Sequence, residues 1–421
     1  MTDKQSAGAA GSRQGTEEHQ APALPGGHPR VQGCEPIQAG RGISRPIKVV
    51  NPPVVRASSV IFESVQAAIE AGRRTDRGEL HHSTYATAGT ETTYALMDAV
   101  AELEGAPHAV RAALMPSGLA AISTVMWAFT SPGDEILMSD SVYGPARTFA
   151  DTLLAKFGVR TIYFDPLATP EDLEKLASAH TRMIYLESPG SYTFEIQDVP
   201  AICAWARQRG ILTAIDNTYA SPRLARPFDW GVDISIPALT KYWCGHADVV
   251  REPLWQQLWT TVRQLGICVG GDDAWLVLRG IRTVDARLRM HEQTALAVAR
   301  WLETQPDVVR VLHPGLESHP QHALFKRDFL GSNGLFAFEL KKPMSPAAIM
   351  ALCNGRRHFA LGFSWGGFES LIMPAHLDGC RSVQPWKGGQ LIRIHCGLEP
   401  ADALIADLEE GLKAMRAANA S

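Results

Sequence analysis

Between Asp134 and Asn217 short apolar runs alternate with longer amphipathic segments, and this alternation constrains the fold more than any other feature of the sequence. The runs DEILMSD, VRTIYFD, TRMIYLES and ILTAIDN have the length and branched apolar content of buried strands. The segments between them, GPARTFADTLLAKFG, PEDLEKLASAH and DVPAICAWARQRG, are long enough to form helices. Strands joined by such helices form right-handed crossovers and align in parallel. The pattern predicts an α/β fold with a mostly parallel central sheet flanked by helices.

The strict alternation stops near residue 282, and the rest of the chain predicts a second, smaller domain. The segments GLFAFELKK, SPAAIMALCNG and QLIRIHCGLE, with an amphipathic helix from Ala401, indicate mixed α+β structure over residues 282–421. The larger domain would then span residues 90–281. Residues 1–36 are rich in Gly, Ala, Pro and Gln and lack apolar periodicity, so we expect a disordered tail there.

The overall composition excludes several classes of protein. The 421 residues carry a net charge of −4, which gives no electrostatic reason to expect a nucleic acid or an anionic membrane as partner. No apolar run is long enough to span a bilayer, and the N-terminal stretch lacks the apolar core of a signal peptide. Seven cysteines without a CxxC spacing argue against a disulfide framework and favour the reducing cytoplasm. His246 and His291 are isolated in the sequence, so no metal site is expected.

Chemically distinctive residues follow several of the predicted strands. Asp216 ends the run ILTAID, Lys241 follows the run ISIPALT, and Tyr143 lies just beyond LMSD. The turn in LMPSGLAAIS leads directly into an apolar helix, whose first N–H groups can hold an anion. Each feature alone has an ordinary structural explanation, but ligands bind beyond the carboxyl ends of parallel strands. An amine, a carboxylate, a flat aromatic ring and an anion-binding turn together meet the needs of pyridoxal 5'-phosphate.

A resemblance to a known family covers the chain from about Gln38 to its C-terminus. The segments GTETTYALMDAVAELEG, ESPGSYTFEIQDVPAI, IDNTYA, TKYWCGHAD, SWGGFESLI and LIRIHCGLE occur in order and without a large gap. By these segments the chain resembles the Cys/Met-metabolism family of pyridoxal-phosphate-dependent enzymes, fold type I, and within it the bacterial cystathionine β-lyases. The family has a mostly parallel central sheet, a smaller C-terminal domain and an N-terminal arm, which would here be residues 37–89.

The resemblance implies a role for each candidate residue. Lys241 would bind pyridoxal phosphate as a Schiff base, and Asp216 would pair with the pyridinium nitrogen. Tyr143 would stack on the ring, and both it and Tyr85 would assist Lys241 in catalysis. The phosphate would be bound by the N–H groups of Gly118 and Leu119, by the hydroxyl of Thr240, and by Tyr85 and Thr87 of a neighbouring subunit. The α-carboxylate of the substrate would be bound by Arg393, with Ser364 and Trp365 beside it.

The resemblance also implies a reaction and an assembly. Cystathionine, or a related cysteine thioether, would be cleaved by α,β-elimination to a thiol, pyruvate and ammonia, and the thiol from cystathionine is homocysteine, a methionine precursor. The γ-class relatives usually carry leucine where this chain has Trp365, so β-elimination is favoured. A γ-synthase, γ-lyase or homoserine sulfhydrylase, a cystine or cysteine-S-conjugate lyase, and a non-catalytic scaffold remain alternatives. The family's sites are shared between two subunits, so we expect a homo-oligomer, a dimer of dimers.

Two places depart from the family pattern. Thr87 stands where the family has an arginine that binds the phosphate of a neighbouring subunit's cofactor, and threonine supplies no positive charge. Arg77, His81 and His82 are candidates to compensate. After Asp248 the sequence VVREPLWQQLW arrives early, so a strand beside Lys241 is expected to be shortened or rearranged.

Overall fold

The computed structural model describes residues 35–40, 49–105, 107–243, 248–341 and 343–420. Residues 1–34 of the predicted tail therefore lie outside the described residues. His246 also lies outside them. Twelve strands in the described part of the chain form two sheets. They are β1 (Val110–Ala113), β2 (Glu135–Ser139), β3 (Arg160–Phe164), β4 (Thr181–Glu187), β5 (Leu212–Asp216), β6 (Ile234–Ile236), β7 (Asp248–Arg251), β8 (Val308–Leu312), β9 (Leu335–Leu340), β10 (Phe359–Leu361), β11 (Ser370–Ala375) and β12 (Leu391–His395).

Helices surround the first sheet and pack on the second. Those of the described residues are α1 (Glu35–Gln38), α2 (Val65–Asp76), α3 (Glu91–Gly105), α4 (Gly118–Phe129), α5 (Gly144–Phe149), α6 (Pro170–Leu176), α7 (Val199–Gln208), α8 (Ser221–Leu224), α9 (Trp255–Gln264), α10 (Gly271–Ile281), α11 (Val284–Glu303), α12 (His322–Asp328), α13 (Pro346–Cys353) and α14 (Ala401–Ala420). A wider helical turn over Ala150–Leu154 continues α5.

The central sheet has seven strands in the order β1-β7-β6-β5-β4-β2-β3. Strands β3, β2, β4, β5 and β6 are parallel, whereas β7 runs antiparallel to both β6 and β1. The four strands expected between Asp134 and Asn217 are observed as β2 to β5. The prediction of a mostly parallel sheet is therefore confirmed.

Both faces of this sheet are covered, which explains why its strands are continuous apolar runs. Along β4, Met183 and Tyr185 belong to a cluster that also contains residues of α3, α4, α9 and α10. Ile184 and Leu186 point to the opposite face and belong to a second cluster with residues of α7. Alternate side chains of one strand thus enter separate layers of the core.

The second sheet has five strands in the order β10-β11-β12-β9-β8, and it forms from the part of the chain after residue 282. Its central strands β11, β12 and β9 are antiparallel. Ile392 and Ile394 of β12 pack with apolar residues of α11, α13 and α14. The α+β character expected for this part of the chain is observed.

One helix differs from the expected pattern, and one expected irregularity is observed. The helix expected over PEDLEKLASAH ends at Leu176, because the chain turns so that the Ser178 hydroxyl donates to Glu135 at 2.6 Å. Strand β7 has only four residues and pairs with just Ile234 and Ser235 of β6. The shortened strand expected after Asp248 is therefore present. Within the described residues, no helix has the combination of length and apolarity needed to cross a bilayer.

Candidate active site

The candidate site lies at the carboxyl ends of the central parallel strands. Glu187 at the end of β4 is in register with Asp216 at the end of β5, and Asp216 is in register with Ile236 at the end of β6. The chain leaves β6 and reaches Lys241 five residues later. The N–H group of Ala238 in this connection donates to the Thr218 hydroxyl at 2.9 Å, which ties it to the loop after Asp216.

Lys241 is a half-buried amine with two close neighbours. Its Nζ donates to the Ser364 hydroxyl at 2.8 Å and lies 5.2 Å from the centre of the Trp365 ring. Burial lowers the pKa of Lys241, the positive charge of Arg393 lowers it further, and Asp216 opposes both effects. A lowered pKa increases the neutral fraction of the amine, which is the form that attacks an aldehyde.

Asp216 is a buried carboxylate that accepts a hydrogen bond from the Thr218 N–H at 2.9 Å. Burial raises its pKa, while Thr218 and Lys241 act in the opposite direction. A buried carboxylate needs a hydrogen-bond donor and a positive charge, and the protonated pyridine nitrogen of pyridoxal phosphate would supply both. The position of Asp216 therefore fits its expected role.

Glu187 is a second carboxyl group in this cluster, half-buried at the end of β4, and the sequence reasoning missed it. Its Oε2 accepts a hydrogen bond from the Tyr143 N–H at 2.6 Å. Burial and the neighbouring Asp216 raise the pKa of Glu187 well above its usual range. The strand-end rule that identified Asp216 applies equally to the final glutamate of TRMIYLE, so a signal was available.

Tyr143 lies at the amino end of α5, just beyond β2, and 43% of the residue is exposed. Burial of part of the ring, together with the charges of Asp216 and Glu187, raises the pKa of its phenol. A partly exposed aromatic ring close to Asp216 can stack on a planar cofactor.

The amino end of α4 is suited to a phosphate. The Ser117 hydroxyl accepts from the Ala120 N–H at 3.0 Å, and the Ser117 carbonyl accepts from the Ala121 N–H at 2.9 Å. Helix geometry leaves the preceding N–H groups, those of Gly118 and Leu119, without an intrahelical acceptor. Thr240 is exposed next to Lys241. These donors and the helix dipole fit the anionic group of pyridoxal phosphate.

Arg393, Ser364 and Trp365 come from the second sheet and the turn that precedes β11. The Nη2 of Arg393 donates to the carbonyl of Gly362 at 3.1 Å and to that of Phe363 at 2.8 Å. Burial lowers the pKa of the Arg393 guanidinium. The structure thus brings the expected carboxylate-binding group within electrostatic range of Lys241.

Tyr85 and Thr87 lie elsewhere, on the segment before α3. The Tyr85 hydroxyl accepts from Ser58 at 2.9 Å, 48% of the residue is exposed, and Thr87 lines a small cavity with Arg263. Among the described residues, none of the hydrogen bonds made by this segment reaches the Lys241 cluster. Of the groups expected to compensate for the missing arginine, Arg77 is ion-paired with Glu79 at 2.8 Å.

Comparisons with known proteins agree with this geometry. The family described as "Cys/Met metabolism PLP-dependent enzyme" matches residues 34–413. A putative cystathionine β-lyase of Rhizobium johnstonii is 43% identical over 377 residues, which cover 87% of this chain and 92% of the relative. A cystathionine β-lyase of Escherichia coli is 40% identical over 387 residues, covering 89% and 96% of the two chains.

A solved structure extends the likeness to three dimensions. Cystathionine γ-synthase of Xanthomonas oryzae pv. oryzae in complex with cystathionine superposes with a TM-score of 0.81 and is 32% identical, covering 93% of this chain and 100% of that chain. The fold, family and cofactor predicted from the sequence are confirmed. The chain belongs to the Cys/Met metabolism family of pyridoxal-phosphate-dependent enzymes.

Proposed function

We propose that this protein is a carbon–sulfur β-lyase that cleaves L-cystathionine, or a related cysteine thioether, to a thiol, pyruvate and ammonia. The observation that carries the proposal is the meeting of Lys241, Asp216 and Tyr143, at one edge of the central sheet, with Arg393 of the second sheet. The Trp365 ring lies 5.2 Å from the Lys241 amine. The cystathionine β-lyases that match this chain do so over nearly its whole length, which supports the same reaction.

The chain's own residues perform distinct parts of the elimination. Bound pyridoxal phosphate supplies an electron sink for the Cα of the amino acid. Arg393 orients the substrate by gripping its α-carboxylate with two parallel donors. Lys241, once its amine is free, removes the Cα proton and returns a proton to the sulfur that leaves Cβ. Asp216 holds the proton on the ring nitrogen, which keeps the sink effective.

The γ-class alternative is favoured by one observation, the fit to a cystathionine γ-synthase structure. Trp365 argues for the β-lyase because its indole occupies space close to the Lys241 amine, where γ-class relatives usually carry leucine. The two reactions differ in their keto-acid product. β-Elimination gives pyruvate, whereas γ-elimination gives 2-oxobutyrate.

The deciding experiment measures keto acids from a panel of thioethers while the visible spectrum of the loaded protein is recorded. We expect a yellow protein that releases pyruvate from cystathionine. Lys241→Ala should lose both the visible band and the activity, and Lys156→Ala, at an exposed lysine, should keep both. Release of 2-oxobutyrate would establish the γ-class reaction. Faster cleavage of cystine than of cystathionine would retain the lyase class but change the substrate.

We also propose that two copies of the chain share each site, as the homo-oligomer expected from the family requires. Tyr85 supports this, because its hydroxyl lies in the N-terminal segment, outside the Lys241 cluster of its own chain. Mixed dimers of Lys241→Ala and Tyr85→Phe contain one intact site, so random mixing should restore about a quarter of wild-type activity. No recovery after verified subunit exchange would mean that Tyr85 serves its own chain.

A further inference from the structure

Two residues of strand β12 hold opposite ends of the turn that carries Ser364 and Trp365. Side chains alternate along a strand, so Arg393 and His395 share one face, while Ile392 and Ile394 point to the other face and into the apolar core. Arg393 donates to the carbonyls at the start of the turn, those of residues 362 and 363. The Nε2 of His395 lies 3.1 Å from the N–H group at the other end, that of residue 366.

This turn rests directly on the backbone of the reactive lysine. Gly366 has a φ of +88°, and a Cβ at this position would lie 3.0 Å from the Lys241 Cα. Because the turn lies this close, the Ser364 hydroxyl accepts a hydrogen bond from the Lys241 amine at 2.8 Å. The Trp365 ring lies 5.2 Å from the same amine. A movement of the Gly366 end of the turn therefore displaces both neighbours of the amine.

We propose that His395 is a positioning residue that holds the Gly366 end of this turn and thereby sets Ser364 and Trp365 against the Lys241 amine. The inference rests on the proposed function for one point, the binding of a substrate carboxylate by Arg393. A carboxylate that recruits Arg393 takes its donors away from the carbonyls of Gly362 and Phe363. His395 then remains as the anchor of the turn.

The ring of His395 contacts two backbone groups of the turn and lies beside a second histidine. The Nδ1 of His291 lies 2.8 Å from the Cys396 carbonyl, so it must carry a proton, which leaves the Nε2 of His291 as an acceptor. The Nε2 of His395 lies 3.1 Å from the Gly366 nitrogen and 3.1 Å from the Gly367 carbonyl oxygen, so it contacts the backbone at this end of the turn whichever ring nitrogen carries the proton. The two ring centres lie 5.2 Å apart, and among the described residues neither the Nε2 of His291 nor the Nδ1 of His395 has a hydrogen-bond partner.

Both rings are kept uncharged by their surroundings. Burial, together with the neighbouring His291, lowers the pKa of His395 to about 3. Burial also lowers the pKa of His291. A neutral His395 can accept the Gly366 N–H through its Nε2, and it does not serve as the acid or base of the reaction.

The test compares two substitutions of His395 with the same kind of change at another buried histidine. His395→Phe keeps the ring but removes the acceptor, whereas His395→Gln places an amide oxygen at a similar depth. The control is His313→Phe, since His313 is also buried and its Nδ1 accepts from the Gly315 N–H at 3.0 Å. All proteins are loaded with pyridoxal phosphate and measured without substrate, so the lyase assignment does not affect the result.

Hydrogen exchange of the peptide covering residues 362–368 is the first readout. Leaving a buried N–H without its acceptor should speed its exchange about tenfold or more in His395→Phe. The second readout is the pH midpoint of the visible band, which we expect to shift by about half a pH unit or more because the contacts of the Lys241 amine change. His395→Gln should restore both readouts towards wild type, and His313→Phe should leave both unchanged.

Wild-type exchange and an unshifted midpoint in His395→Phe would overturn the proposal. It would also be overturned if exchange rose equally throughout the chain, or if His313→Phe gave the same local effect, because the histidine would then contribute only general stability. Absence of lyase activity in the wild type would refute the proposed function and leave these two readouts valid.

Discussion

Replacing Glu104 by glutamine should make the folded chain more stable at pH 8 and leave its stability nearly unchanged near pH 4. Glu104 lies near the end of α3, is 1% exposed, and accepts from the Ser235 hydroxyl at 2.9 Å and from the Asn217 amide at 3.4 Å. No arginine or lysine is among its described hydrogen-bond partners. Ionisation therefore places a buried negative charge on two neutral donors.

The size of the effect follows from the pKa of this carboxyl group. Burial raises the pKa of Glu104 from 4.5 to about 7, although Ser235 and Asn217 act against the rise. Between these two values the folded chain holds a proton that the unfolded chain has lost, so stability decreases as the pH rises. One pKa unit corresponds to about 1.4 kcal/mol, so the loss between pH 4.5 and pH 8 is about 3 kcal/mol.

Glutamine keeps the shape of the side chain and removes its ionisation. Its oxygen can accept from Ser235, and a flip of the Asn217 amide would turn its Oδ1, which has no hydrogen-bond partner among the described residues, towards the new NH2 group. The variant should therefore keep the stability that the wild type loses on ionisation. A smaller gain at pH 8 would indicate strain from the second amide hydrogen.

Denaturant unfolding at pH 4.5, 6, 7 and 8 measures this difference, with both proteins in the same cofactor state so that other titrating groups cancel. The free energy of unfolding of Glu104→Gln should exceed that of the wild type by an amount that grows with pH to about 3 kcal/mol. Glu63→Gln, at an exposed glutamate, should give no difference at any pH. Parallel stability curves for Glu104→Gln and the wild type would refute the reasoning.

Three further predictions concern the site and its support. Glu187→Ala removes the acceptor of the Tyr143 N–H and should raise the Kd for pyridoxal phosphate about tenfold in a fluorescence titration, whereas Glu187→Gln keeps an acceptor and should change it less. Arg393→Lys keeps the charge but loses the two-donor fork, so the thioether KM should rise about tenfold or more while the visible band persists. Asp140→Asn weakens the bonds from the N–H groups of residues 382–384, and limited proteolysis near them should accelerate about tenfold.

Much of the fold could be predicted from the sequence because its signals are local. The runs that became β2 to β5 carry their own length and composition, and parallel order follows from the helices between them. For β7 the sequence indicates only a shortened or rearranged strand, because its four residues have no periodicity that assigns a direction or a partner. Its position between β1 and β6 follows from long-range pairing.

In the candidate site, too, some residues could be predicted from local sequence, and others become apparent only in the folded structure. Asp216, Lys241 and Tyr143 follow recognisable strands, so one rule places them at the same edge of the sheet. Glu187 obeys that rule, but a glutamate before SPG also has an ordinary explanation as a solvated strand end. His395 is separated from Gly366 by 28 residues, and their contact becomes visible only when β12 and the turn before β11 are placed in space.

The reactivity of Lys241 is a joint property of the two sheets. Asp216 and Tyr143 belong to the central sheet, whereas Ser364 and the charge of Arg393, which lowers the pKa of the amine, come from the second sheet and its adjoining turn. The buried Asp140 at the end of β2 accepts the N–H groups of residues 382–384, which lie between β11 and β12. This contact ties the segment between β11 and β12 to the end of β2, and so joins the sheet that carries Arg393 to the sheet that positions Lys241. A single chain motif therefore identifies the lysine, but the contact between the sheets determines how readily it loses its proton.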